Sequence, residues 1–414
     1  MLSQLDVYAD IDSIPVYAGR AYFSMRGNTL TTTFAYASDY LSDSRAYEID
    51  PAFPLIGSTY HCNGLPGAFS DSAPDRWGRN LIDKEHRRKL LDAGYVAHKL
   101  RDVDYLVGVF DETREGNLRF REHGGDFLSE SKAIPKIIQL PELLAASRDL
   151  AKNAESDAAI KTLLSAGSGS LGGARPKASV VQDGKLLLAK FPHPSDSWNV
   201  MAWEKTALDI ARRAHAEVPA NKLITIGSSS VLLLERFDRY NSLLNGARIA
   251  YISAMTLLGA HDGEICDYGE LAEAISLWAG DPATASEELL RRILLSIALN
   301  NTDDHMRNHG FIRVGNKWQF SPLFDVNPNL DGNSRCATSI LGECGDLRAK
   351  AAIELAKYMG IKNEKTTAIL SEVLSAASEW KSIARKNGCS DSEIKSFVPI
   401  MQEHLADLRG ISLL

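Results

Sequence analysis

The chain has 414 residues, more than one hydrophobic core usually organises, so two or three packed units are expected. With 44% hydrophobic and 24% charged residues it is neither disordered nor fibrous. A formal net charge of −7 and a pI near 5.9 argue against DNA binding by bulk electrostatics, so any DNA contact would be indirect, through a partner.

The start, MLSQLDVYADIDSIPVYAG, has no basic stretch ahead of an apolar core. No apolar run approaches the length of a membrane span, and a cytoplasmic protein without membrane contact is expected. Cys62, Cys266, Cys336, Cys344 and Cys389 are scattered and form no CxxC pair, which predicts free thiols rather than a disulfide framework or a zinc site.

Residues 1–125 read as an N-terminal α/β subdomain. The β-prone stretches LDVYA, AYFSM and TLTTTFAY alternate with turn residues, and GLPGAFSDSAPDRWGRNLIDKEHRRKLL leads into a polar helix. The basic residues from Lys84 to Lys89 are broken by Glu85 and preceded by Asp83, the pattern of a solvated helix face.

Residues 126–245 read as a kinase N-lobe-like subdomain. After a helical LPELLAASRDLAKNA comes GSGSLGGARPK, in which Gly167, Gly169 and Gly172 satisfy GxGxxG. Glycines let a backbone approach phosphates, but the pattern alone also serves dinucleotide folds and plain loops. A dinucleotide fold needs a helix next, whereas KASVVQDGKLLLAKFP predicts a hairpin about Asp183–Gly184. A glycine-rich loop, then a strand ending in Lys190, is the arrangement in which a kinase lysine reaches ATP phosphates. Glu204, in the helical WNVMAWEKTALDIARRAHAE, is placed to pair with that lysine. The run VLLLERFDRY reads as a hinge strand in which Glu235 and Phe237 flank adenine, or else as a plain strand ending in exposed Arg236, Asp238 and Arg239.

Residues 246–414 read as an α-helical C-terminal domain. In ASEELLRRILLSIALN, Leu290, Ile293, Leu294 and Ile297 fall on one face, and Ser390 with Glu393 has capping-box spacing. Within NNTDDHMRNHGF, Asp303 and Asn308 have the D-x-x-x-x-N spacing of a kinase catalytic loop. One carboxylate can act as catalytic base on a hydroxyl, while an amide oxygen binds a divalent ion without adding charge beside that base. A hairpin in FIRVGNKWQF then leads to SPLFD, placing Asp325 where a kinase holds its metal-binding aspartate. Asp304 does not fit the spacing and reads as shaping the loop; His305 stands where it could contact the transferred phosphate.

Taken together, SLGGARPK, LLLERFDR, NTDDHMRN and SPLFD, with GLPGAFSDSAPDRWGR and YLVGVFDETREGNLRF upstream, resemble the HipA family of toxin kinases over nearly the whole chain. The resemblance implies an α+β, two-lobed kinase-like architecture, MgATP bound between the lobes, and phosphorylation of serine or threonine on a protein. By motif it implies Asp303 as catalytic base, Asn308 and Asp325 as Mg2+ ligands, and Lys190 as the ATP lysine. It implies Ser170 as a site of regulatory autophosphorylation, and matches Glu204 more loosely. It further implies a small helix-turn-helix antitoxin of the HipB type as partner. The GGARPK loop, and Asp304 where some relatives have glycine, depart from the family pattern. Two other readings are a weakly active nucleotide-binding corepressor working through a DNA-binding antitoxin, and a small-molecule kinase; the upstream motifs speak against the latter.

Overall fold

The computed structural model describes residues 3–27, 29–96, 98–128, 134–152, 156–168, 175–332 and 335–411. The chain forms two compact units, 1–195 with 225–252, and 196–224 with 253–414.

The first unit opens with a five-stranded antiparallel sheet of order β4-β3-β2-β1-β5: β1 (Gln4–Ile11), β2 (Ile14–Arg26), β3 (Thr29–Tyr36), β4 (Thr59–Asn63) and β5 (Leu118–Arg121). Asp12 and Ser13 close the first hairpin at φ 55° and 65°, the mirror-image turn whose twist matches that of the strands it joins. The strand period of two shows in β3, where Leu30, Thr32, Phe34 and Tyr36 are buried and the residues between them are less so. Under that face Phe34 stacks on Phe53 at 5.5 Å and meets Phe69 edge-on at 6.1 Å, and Phe69 meets Phe120 at 5.1 Å.

The segment after β4 forms helices Gly67–Asp71 and Arg76–Asp92. Trp77 and Leu81 bury against Ala146 and Leu150 of helix Leu140–Lys152 and against Ala159, Ile160 and Leu163 of helix Asp157–Ser165. Arg88 pairs along the helix with Glu85 at 2.9 Å and Asp92 at 2.8 Å, so the basic run is the solvated face its spacing suggests.

The predicted second hairpin is present: β6 (Lys177–Gln182) pairs with β7 (Lys185–Lys190) across Asp183–Gly184, at φ 51° and 77°. Strand Ser229–Glu235 pairs with the other edge of β7. The charges that follow this strand are not exposed, contrary to the plain-strand expectation. Arg236, Asp238 and Arg239 are 7%, 1% and 2% accessible. Burial is tolerated because the charges satisfy one another. Asp238 accepts from Arg236 Nε at 2.7 Å, from an Arg239 guanidinium nitrogen at 2.8 Å and from the Gly116 N–H at 2.9 Å. Burial alone would raise the Asp238 carboxyl, but Arg236 and Arg239 outweigh it and hold it below the usual range. Burial in turn pushes Arg239 down to about 10.

Glu115, beside this cluster, is pushed up to about 8, chiefly by burial; Arg236 opposes that and Asp238, Asp71 and Asp75 add to it. A carboxyl with a raised folded-state pKa binds its proton more tightly in the folded chain, so stability falls as pH rises from about 4.5 to 8. Glu115→Gln is therefore expected to raise Tm by a few degrees at pH 8.5 and to give little gain at pH 5, as read by thermal denaturation at both values.

The second unit is mainly helical, with Val200–Arg213, Tyr268–Trp278, Pro282–Ala298, Arg348–Tyr358, Asn363–Ser378, Trp380–Lys386 and Asp391–Arg409. Leu290, Ile293, Leu294 and Ile297 are buried as their spacing predicts, but Leu289 and Leu295 are buried too, so helix Pro282–Ala298 is covered nearly all round. Its Arg292 is bound by Glu288 at 2.8 Å and by the Ser321 carbonyl at 2.5 Å. Trp203 stacks on Phe397 at 3.8 Å, joining the first and last helices of this unit. The Ser390–Glu393 capping box forms, and the Glu393 carboxylate also accepts the Asn199 N–H at 2.5 Å. Among the described residues all five cysteines are free, and no helix is long and apolar enough to cross a membrane.

Candidate active site

Helix Pro282–Ala298 ends at a turn through Asn300, at φ 49°, and the chain enters the loop that carries Asp303. A short 3-10 turn, Met306–Asn308, closes that loop. Asn308 donates its side-chain amide to the Asp303 carbonyl at 3.1 Å, and the His305 N–H donates to the same oxygen at 3.0 Å. The D-x-x-x-x-N spacing thus folds Asn308 back onto Asp303. The amide nitrogen of Asn308 is committed to this bond, which leaves its oxygen as the available donor to a cation. Asp303 reaches solvent, yet partial burial raises its carboxyl; His305 counters this, and Asp325 and Asp304 reinforce it.

Strands Gly310–Val314 and Lys317–Phe320 form the hairpin expected after the loop, turning through Gly315 at φ 59°. The chain then delivers Asp325, itself at φ 57°, an unusual conformation for a residue with a side chain, and one that aspartate tolerates better than most. Side-chain amides stitch this segment to the loop that carries Asp303. Asn329 donates to Thr302 Oγ1 at 2.8 Å, and Asn300 donates to the Asn329 carbonyl at 2.9 Å. Asn301 Oδ1 accepts the Asn327 N–H at 3.4 Å.

Asn327, which sequence reasoning passed over, donates its amide to Asp325 Oδ1 at 3.1 Å, and its own Oδ1 is buried without a hydrogen-bond partner. The signal was the asparagine-rich VNPN run directly after SPLFD. An all-oxygen set from Asp325 and Asn308, with an orphaned amide oxygen beside it, suits a hard divalent cation that keeps water and phosphate as its other ligands. Asp304 faces inward instead: burial would raise its carboxyl, but His309 and Tyr268 outweigh it and keep it below the usual range.

Lys190 lies in the first unit at the end of β7 and is 5% accessible. Directly across the hairpin stands Lys177, 3% accessible, a second buried lysine that sequence reasoning missed although it closes the GGARPK run. Gly167 sits at φ 66°, and a Cβ there would stand 2.9 Å from the Thr113 side chain, so only glycine fits. Ser168 donates to the Lys177 carbonyl at 2.5 Å and ties the start of the glycine-rich loop to the hairpin. Gly169, Ser170 and Gly172 lie outside the described residues. Glu235 is bound by Lys185 Nζ at 2.8 Å, and the Phe237 ring is 6.1 Å from Tyr251. Glu204 belongs to the second unit, 1% accessible on helix Val200–Arg213. The structure therefore brings Asp303, His305, Asn308 and Asp325 together in the second unit, and Gly167, Lys177 and Lys190 together in the first.

Comparison with known proteins supplies a family. The model of the HipA-like C-terminal domain matches residues 169–380, more than half of the chain, and that of the HipA N-terminal domain matches residues 19–94. A Haemophilus influenzae protein named "Putative kinase" is 25% identical over 160 residues, a stretch covering 36% of this chain and 46% of that protein, so under half of the relative's length is spanned. Among solved structures, Shewanella oneidensis HipA, determined with HipB and operator DNA, superposes with a TM-score of 0.66 at 14% identity, covering 98% of this chain and 96% of that one. The chain belongs to the HipA family and has its α/β, kinase-like fold.

Proposed function

We propose that this HipA-family chain is an ATP-dependent serine/threonine protein kinase, the toxin of a bacterial toxin–antitoxin pair, acting in the cytoplasm. The observation that carries this reading is the loop in which Asn308 folds back on Asp303 while Asp325 is near enough to raise the Asp303 carboxyl. Asp303 would accept the proton of a substrate serine or threonine as its oxygen bonds to the γ-phosphorus and the bond to the β–γ bridging oxygen breaks, releasing ADP. Asn308 and Asp325 would hold Mg2+, which when bound offsets phosphate charge. Lys190 and Lys177 would bind ATP phosphates, Glu204 would orient Lys190, His305 would contact the transferred group, and Glu235 and Phe237 would border adenine.

Ser170 would take a phosphate itself. Nearly two negative charges in a loop that must point N–H groups at ATP would expel the loop from its binding conformation and lower activity. A HipB-like helix-turn-helix antitoxin fits an acidic chain that needs a partner to reach DNA, and the Shewanella relative was solved with HipB and its operator DNA.

The reading is tested by incubating the purified chain with γ-labelled ATP. Magnesium-dependent thermal stabilisation by ATP and label on the Ser170 peptide are expected, the label being absent from Asp303→Ala. Stabilisation by a dinucleotide and not by MgATP would replace the kinase reading with an oxidoreductase one.

A further inference from the structure

Asp304 is buried, and its side chain and carbonyl together join its loop to the stretches around Tyr268 and Thr338. Its Oδ2 accepts the Tyr268 hydroxyl at 2.5 Å, and its Oδ1 lies 3.1 Å from His309 Nε2. Its carbonyl accepts the Thr338 hydroxyl at 2.7 Å, and the neighbouring Thr302 carbonyl accepts the Ala337 N–H at 2.9 Å. Tyr268 is itself fixed, because it opens helix Tyr268–Trp278 directly after Asp267. The Asp267 carboxylate takes the Ser339 hydroxyl at 2.5 Å and the N–H groups of Leu341 and Gly342 at 3.1 and 2.8 Å. His309 is held at its other end by the Ala254 N–H, 2.7 Å from its carbonyl.

The loop between these anchors alternates. Asp304, Met306 and Asn308 are buried, while Asp303 is exposed and His305 and Arg307 are half-buried. At the turn that opens this loop Asp303 is exposed and Asp304 buried, so the two neighbouring carboxylates face opposite ways and anchoring 304 inside goes with 303 turned outward. A carboxylate suits the inner position because it can accept from two donors at once.

Resting on the kinase reading, we propose that Asp304 is a positioning residue for phosphoryl transfer: the tether Tyr268–Asp304–His309 fixes the register of the catalytic loop and holds Asp303 toward the substrate hydroxyl. Alanine at 304 would remove the acceptor that a buried hydroxyl and a buried imidazole share, leaving them only their own 3.4 Å contact, and free the loop to turn. Asparagine would keep both contacts, accepting from Tyr268 and donating to His309 in its other tautomer.

The test compares wild type, Asp304→Ala, Asp304→Asn and Tyr268→Phe as full chains. The rate of label incorporation from γ-labelled ATP is measured over a series of MgATP concentrations, alongside amide hydrogen exchange of the peptide spanning 302–309. Asp304→Ala is expected to lower kcat by roughly 10- to 100-fold, the cost of a small misplacement of a catalytic group, with KM for MgATP within about twofold of wild type. Asp304→Asn is expected to recover kcat to within about threefold, and Tyr268→Phe to fall between the two. Exchange across 302–309 should quicken in Asp304→Ala and not in Asp304→Asn.

A wild-type kcat in Asp304→Ala, unchanged exchange, or an asparagine variant as slow as the alanine one overturns the tether. So does an equal loss of kcat and MgATP affinity, which marks a purely structural role. Should the alanine variant not fold, a wild-type kcat in Tyr268→Phe overturns it. A wild-type chain that transfers no phosphate but shows the exchange pattern would instead overturn the kinase reading.

Discussion

Asp303→Ala is expected to lower phosphoryl transfer by about 100- to 10,000-fold, the range over which a positioned general base contributes, while leaving the thermal stabilisation by MgATP close to that of wild type. The separation follows from where the group sits. Asp303 reaches solvent at the tip of its loop, where a hydroxyl can approach, whereas the cation is assigned to Asn308 and Asp325. Asp325→Ala should weaken both transfer and magnesium-dependent stabilisation, because it removes the carboxylate proposed to hold the metal. Rates from labelled ATP and Tm with and without MgATP read the two effects apart. Wild-type transfer in Asp303→Ala would end its assignment as the base.

The second large effect concerns stability. Asp238→Ala should destabilise the first unit by about 3–5 kcal/mol, the usual result of removing one partner from a buried charge cluster. Arg236 and Arg239 would stay buried with their shared counter-charge gone, and the Gly116 N–H would lose its acceptor. Asp238→Asn keeps an oxygen for that N–H and should cost less. The depressed Asp238 carboxyl contributes stability that is present above its ordinary value of 3.8 and is lost as pH falls toward its folded-state value. Denaturant titration at neutral pH measures the loss, and a change below about 1 kcal/mol would show the cluster to be solvated and dispensable.

What the sequence reveals of this molecule is what lies close together along the chain. The Asp183–Gly184 turn, the buried face of Leu290–Ile297 and the Ser390–Glu393 cap are each written within a few residues. Asp303 and Asn308 were found for the same reason, since five residues of loop suffice to fold one back on the other. Pairings across long separations left no local trace. Asp238 meets Gly116 across 122 positions and Tyr268 meets Asp304 across 36, so the run Arg236–Arg239 could be read as an exposed strand end, and Asp304, read as shaping its loop, showed no partner. Burial of Lys177 was hidden because the residues beside it, Arg175 and Pro176, look like ordinary turn composition. Asn327 was hidden because asparagine after a turn ordinarily shapes a loop and nothing more.

The threading of the chain through its two units bears on how the molecule is made. The first unit is built from 1–195 and 225–252, so the polypeptide passes out of it and returns before leaving for good. Strand Ser229–Glu235 covers one edge of β7, and Asp238 supplies the acceptor for Gly116. During synthesis a nascent chain ending near residue 195 would therefore present β7 as a bare edge, a hazard for self-association, and would leave the Gly116 N–H without its acceptor. The amino-terminal unit cannot close as it emerges. It must wait for nearly sixty further residues, so a fragment cut at 195 is not a miniature of it but an unfinished intermediate.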